Sequence, residues 1–148
     1  MNTDEKVELV GKAARVVKAL EEQHTKLMTQ VPRWRPSPEI GTLGVEGGEV
    51  TATCLGVKLA VTRRPVLAQG LGRMEYVFSV IEGDKRTPIW AMYLGANTIL
   101  YVGPGQTEEL CHASNDDYGQ QLVLSEIGTA LASHVFKALP NLNVQRQA

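Results

Sequence analysis

Cysteine is nearly missing from this chain. The two that occur, Cys54 and Cys111, lie far apart and form no CxxC pair, so neither a disulfide framework nor a cysteine-rich zinc site is expected. A surplus of either charge is missing as well: the formal net charge is -1 and the pI about 6.3, which removes any global attraction to nucleic acid or to an anionic membrane. No run approaches the roughly 18 apolar residues that a membrane span needs. The opening residues Met1-Asn2-Thr3-Asp4-Glu5 are acidic where a secretory signal would be basic and then apolar, so a cytoplasmic location is the expectation. Catalytic signatures are equally scarce. Ser114, Ser125 and Ser133 lack G-x-S-x-G surroundings, and the neighbours Cys111 and His112 are sequence-adjacent residues that ordinarily point apart. Gly103-Pro104-Gly105 lacks the lysine and Ser/Thr of a phosphate loop. No nucleophile, cofactor or metal signature can be assigned.

What remains is an ordinary globular composition, 148 residues with 43% apolar and 21% charged, which predicts a single domain with a sizeable core. Asn2 with Glu5 has capping-box spacing, and Asp4 and Glu5 suit the positive end of a helix. A helix over 3–31 follows, stopped by Pro32. At 100° per residue Leu9, Val10, Ala13, Val16, Val17, Leu20, Leu27, Met28 and Val31 share one face, and Glu8, Lys12, Arg15, Lys18, Glu22 and Lys26 the other. That pattern predicts a lid with a buried apolar face and a wet, charged one. Three prolines make 32–39 a stiff connector, in which Trp34 either pins the chain to the sheet or serves as a recognition group between Arg33 and Arg35.

From 40 to 102 the period changes to two. Val50, Ala52 and Cys54, then Val57, Leu59 and Val61, then Met74, Tyr76, Phe78 and Val80 alternate with polar or smaller residues. Gly47-Gly48 and Gly83-Asp84 fit two-residue hairpin turns. Consecutive hairpins without a crossover helix predict an antiparallel meander of about six strands. The expected fold class is therefore α+β: a long N-terminal helix, the meander, a loop over 103–117, a second long helix over 118–139 packed with the first on the sheet, and a tail over 140–148.

The second helix has an unusual outer side. Beside an apolar face of Val123, Leu124, Ile127 and Leu131, the opposite face carries Tyr118, Leu122, Ser125, Thr129 and Phe136, and no charge occurs from Ile127 to Phe136. This uncharged face predicts a homodimer interface, with coverage by a loop as the plainer alternative.

Charge is segregated: Lys58, Arg63, Arg64 and Arg73 stand between Glu49 and Glu75 without an acid, and Glu108, Glu109, Asp116, Asp117 and Glu126 stand from Thr87 to Phe136 without Lys or Arg. The stretch from Arg63 to Arg73 reads as irregular, and Arg63, Arg64 and Arg73 are candidate anion ligands, unless they only blunt a sheet edge. His112, Asp116 and Asp117 in the long loop are candidate ligand or acid/base groups, with helix capping as the alternative for the aspartates. Trp90 and Tyr76, with Phe78 and Tyr93, could line a pocket between sheet and helix. His24 and His134 fall on the apolar faces of the two helices and would pair if both helices run the same way across the sheet. Three functional readings follow in order: a non-enzymatic, self-associating module that binds protein or peptide; a small-ligand or enzymatic domain with that pocket; and a nucleic-acid binder, which requires Arg33, Arg35, Arg63, Arg64 and Arg73 to converge.

Overall fold

A computed structural model describes residues 1–68 and 70–138, the side chains of 68 and 136–138 excepted. The side chain of Phe136, the last residue assigned to the second helix and the tail over 140–148 therefore lie outside the described residues. The architecture is α+β as expected. Helix α1 spans Thr3–Gln30, with Asn2 as its cap, its side chain accepting from Glu5 N at 2.8 Å. Strands β1 (Gly41–Glu46), β2 (Glu49–Cys54), β3 (Val57–Ala68), β4 (Leu71–Glu82), β5 (Lys85–Leu94), β6 (Ile99–Val102) and β7 (Glu108–His112) precede helix α2 (Gly119–Ala138). The seven strands pair in sequence order, all antiparallel, in one curled sheet.

The turns follow their glycines. Gly47 and Gly48 both take positive φ, whereas only Gly83 does at Gly83-Asp84, as a type II′ turn requires, and Glu82 faces Lys85 across it. Two expectations need correction. There is a seventh strand: Glu108–His112 pairs with β6 inside the segment expected to be loop. Its Glu-Glu-Leu-Cys-His composition alternates too briefly to stand out. The stretch from Arg63 is also not irregular, because β3 continues regularly through Ala68, paired with β4 from Leu71. Pro65 is tolerated there because β2 pairs only with Val57–Leu59, leaving the rest of β3 open on that side, where a missing donor costs nothing.

Both helices lie on the concave face of the sheet. Met74, Tyr76, Phe78, Met92 and Leu94 join Leu27 and Val31, and Val123, Leu124, Ile127 and Leu131 of α2, in one buried cluster. The second helix touches β1, β2, β5 and β7, so it is held between the two ends of the curled sheet. Its Gln120 Oε1 accepts from Leu43 N at 3.3 Å, satisfying a donor on the otherwise open edge of β1. Trp34 has the pinning role. It is 4% exposed, its Nε1 donates to Ala113 O at 2.9 Å, and its ring lies so close over Gly119 that a Cβ there would come within 2.3 Å of it.

The first helix departs from the expected lid. Only Leu20, His24 and Leu27 are buried in it. Leu9, Val10, Val16 and Val17, expected on the covered face, are 55%, 66%, 41% and 39% exposed. A 28-residue helix is about 42 Å long at 1.5 Å per residue, and the sheet supports only its second half. The first half runs past the end of the sheet, which its face reaches no earlier than Val16, against Gly72.

Candidate functional site

The polar groups singled out by sequence separate into three places. On the concave side, the helical position of His24 carries it over β4, where Nδ1 lies 2.6 Å from the Tyr76 hydroxyl and Nε2 2.8 Å from Gly48 O. A carbonyl can only accept, so Nε2 carries the proton and Nδ1 accepts from the tyrosine. Beside this pair Arg63 bridges α1 to the β1–β2 hairpin, with Nη1 2.7 Å from Glu21 and Nε 2.7 Å from Glu49. The guanidinium holds the Glu49 carboxyl below its ordinary value. Both histidine nitrogens and the arginine are thus engaged in fastening α1 to the sheet.

The expected histidine pair does not form. His134 lies 3.4 Å from Glu82, six positions beyond Tyr76 on β4, or roughly 20 Å along the strand. The Cys54 thiol is engaged elsewhere, donating to Leu124 O under α2. The pocket expected between sheet and helix, lined by Tyr76, Phe78, Trp90 and Tyr93, does not form either. Tyr76 and Phe78 are wholly buried, Trp90 packs on Phe78 with ring centroids 5.4 Å apart, and Tyr93 faces the opposite side beside Glu75. Strand alternation explains the error: Tyr93 follows Met92 and so must point outward.

The three candidate arginines do not converge. Neighbouring residues of a strand face opposite sides, so Arg63 goes to the concave face and Arg64 to the convex one, where it meets Glu75 at 2.8 Å. Arg73 stacks on Tyr101 at 4.3 Å, and Arg35 covers Tyr118 at 4.9 Å. The convergent patch that nucleic-acid binding requires is absent among the described residues. The loop acids also stay local: Asp116 accepts from His112 N at 2.7 Å, and Glu109 lies 3.1 Å from the His112 ring. Asp117 lends its backbone carbonyl to Arg35 N.

Two apolar surfaces remain. The outer face of α2 is open, with Tyr118 52% and Leu122 37% exposed beside exposed Ser125 and Thr129. The larger surface was missed by the periodicity argument. Val10, Ala13, Val17, Leu20, His24, Leu27 and Val31 repeat at alternating intervals of three and four, a heptad stripe whose second half is buried and whose first half is bare. Val7, Leu9 and Val16 widen the bare half. Leu71 lines the same cleft as Val16, and Leu67, cross-strand from Gly72, extends the patch along the hairpin tip, 74% exposed. Together these side chains present on the order of 600 Å² of apolar surface, at the top of the range for a monomer.

Burial sets the titration of the core. It pushes the Cys111 thiol up to about 12, with Asp116 adding to the effect, and raises Cys54 and the Tyr76 phenol as well. These groups keep their protons in the folded chain at pH values where the unfolded chain loses them, so the native state binds more protons and stability falls as pH rises above the ordinary thiol range. We expect the denaturant midpoint to decline between pH 9 and pH 11, at up to roughly 1.4 kcal/mol per pH unit for Cys111, and the slope to lessen in Cys111→Val. A midpoint that holds steady over that window would contradict this assignment.

Compared with protein families, with curated proteins and with solved structures, the chain shows no match.

Proposed function

We propose that this protein is a non-enzymatic, self-associating module, and that the first half of α1 pairs with α1 of a second copy in an antiparallel, two-fold arrangement. The observation that carries this reading is the heptad stripe running bare past the end of the sheet. A second copy suits it on two counts. The bare patch supplies most of the roughly 800 Å² per partner that a standard interface buries, and an isologous contact doubles every apolar side chain. The charge pattern then selects the direction. Apart from Lys6, the first two turns are acidic (Asp4, Glu5, Glu8) and the next two and a half basic (Lys12, Arg15, Lys18). Antiparallel pairing about residues 11–12 sets acid against base and opposes the helix dipoles, whereas parallel pairing sets like against like.

Self-association was expected at the outer face of α2. The first helix is preferred because, among the described side chains, the outer face of α2 and the residue before it offer Leu122 and Tyr118, the second already covered by Arg35. Light scattering on the full chain tests the reading: the mass should be twice the 16.1 kDa of one chain at concentrations of tens of micromolar. A monomer throughout that range would overturn it.

A further inference from the structure

We propose that the convex face of the sheet carries a binding groove for a short linear dicarboxylate. Strand alternation sets Thr62 and Arg64 of β3, Glu75 and Val77 of β4, and Arg86 and Pro88 of β5 on this one face. The pairing agrees, because Thr62 stands against Val77, Arg64 against Glu75, Pro88 against Ser79 and Arg86 against Ile81. These residues line a groove of about 320 Å³, a volume at the small end of ligand sites. Both helices pack on the other face of the sheet, so the groove does not rest on the pairing of α1.

An arginine stands at each end. Their cross-strand partners, Glu75 and Ile81, are six positions apart on β4, or roughly 20 Å between backbones, and both arginines line the space between. Arg64 is positioned by its Nε, which donates to the buried Glu75 at 2.8 Å, while its side chain is 74% exposed and its two terminal amino groups bond to no described residue. Arg63 shows what such a fork does with a second acid: Nε and one amino group grip Glu49, and the other amino group donates to Glu21. Arg64 has the first acid and lacks the second. Arg86 is exposed, and among the described residues no acid lies within ion-pair distance of it. Between the two, Val77 and Pro88 supply an apolar floor, and Thr62 and Ser79 carry hydroxyls beside it. A dicarboxylate sets one charge on each arginine and its hydrocarbon on the floor. An inorganic anion meets one arginine and leaves the floor wet, and Glu75 repels groups as densely charged as phosphate.

The probes are succinate, adipate and suberate, titrated into the full chain by calorimetry and by thermal unfolding. At least one of the three should bind and raise the unfolding temperature with concentration. Hexanoate, with a single carboxylate, should bind about tenfold more weakly or less, the loss that one charge-assisted contact accounts for. Arg86→Gln, at an exposed position outside the core, should weaken the best diacid by a similar factor. So should Arg64→Lys, which keeps a cation beside Glu75 and loses the fork. Arg33→Gln removes an exposed charge elsewhere and should leave binding unchanged. Equal binding to wild type and Arg86→Gln, hexanoate or inorganic phosphate binding as tight as the best diacid, or no diacid binding up to about 10 mM would each overturn the proposal.

Discussion

Introducing glutamate at Val10 and Val17 together should convert the protein to a monomer, weakening self-association at least a hundredfold. Full burial of a valine contributes about 1.5–3 kcal/mol, and these two are already part-covered, being 66% and 39% exposed. Half of the lower figure at four positions per dimer amounts to roughly 3 kcal/mol, or about two orders of magnitude in Kd. The charges add to this, since carboxylates in the seam would have to be dehydrated beside apolar side chains. The folded monomer itself should tolerate the change, because neither valine belongs to the buried core. The far-ultraviolet circular dichroism should keep its shape while the thermal midpoint loses its dependence on protein concentration. A double variant that still runs as a dimer would place the interface elsewhere, with the outer face of α2 as the first alternative.

The largest loss of stability is expected from Trp34→Ala, about 3–5 kcal/mol, taken from the range for large-to-small changes of buried aromatics. Three contributions act together. The indole leaves a cavity between the connector and α2, the buried Ala113 carbonyl loses its 2.9 Å donor, and Gly119 faces empty space in place of the ring. Against a typical total of 5–15 kcal/mol this brings the domain near the edge of folding. Trp34→Phe should recover part of the packing but not the hydrogen bond. Chemical denaturation measures both, and a loss under about 1 kcal/mol for Trp34→Ala would show that the connector is not a structural pin.

The tryptophan illustrates what could be read from the sequence. Its setting among three prolines made it an anchor or a recognition group, and only the fold decided between them. The meander was legible because Val50-Ala52-Cys54 and Met74-Tyr76-Phe78-Val80 alternate cleanly and glycines mark the turns. Strand β7 was hidden by its acids. The regularity of β3 beyond Arg63 was hidden by Pro65, which fits only because β2 is too short to pair there. The sites were less legible than the fold because they depend on which side of a strand a residue faces and on where an element ends. Arg63 and Arg64 are neighbours in sequence and go to opposite faces. The apolar stripe of α1 was plain in the sequence, but a stripe does not say how much of it the sheet covers; that depended on where β4 begins beside Val16.

Pairing of α1 with α1 is the central claim, and the distance between two copies of its N-terminus tests it most directly. A spin label at Asn2→Cys is selective because Cys54 and Cys111 are both buried. In the antiparallel arrangement centred on residues 11–12, the two labels should lie about 28 Å apart along the helix axis, from a rise of 1.5 Å per residue. A distance near 10 Å, as parallel helices would give, or no defined distance at dimer-forming concentrations, would contradict it.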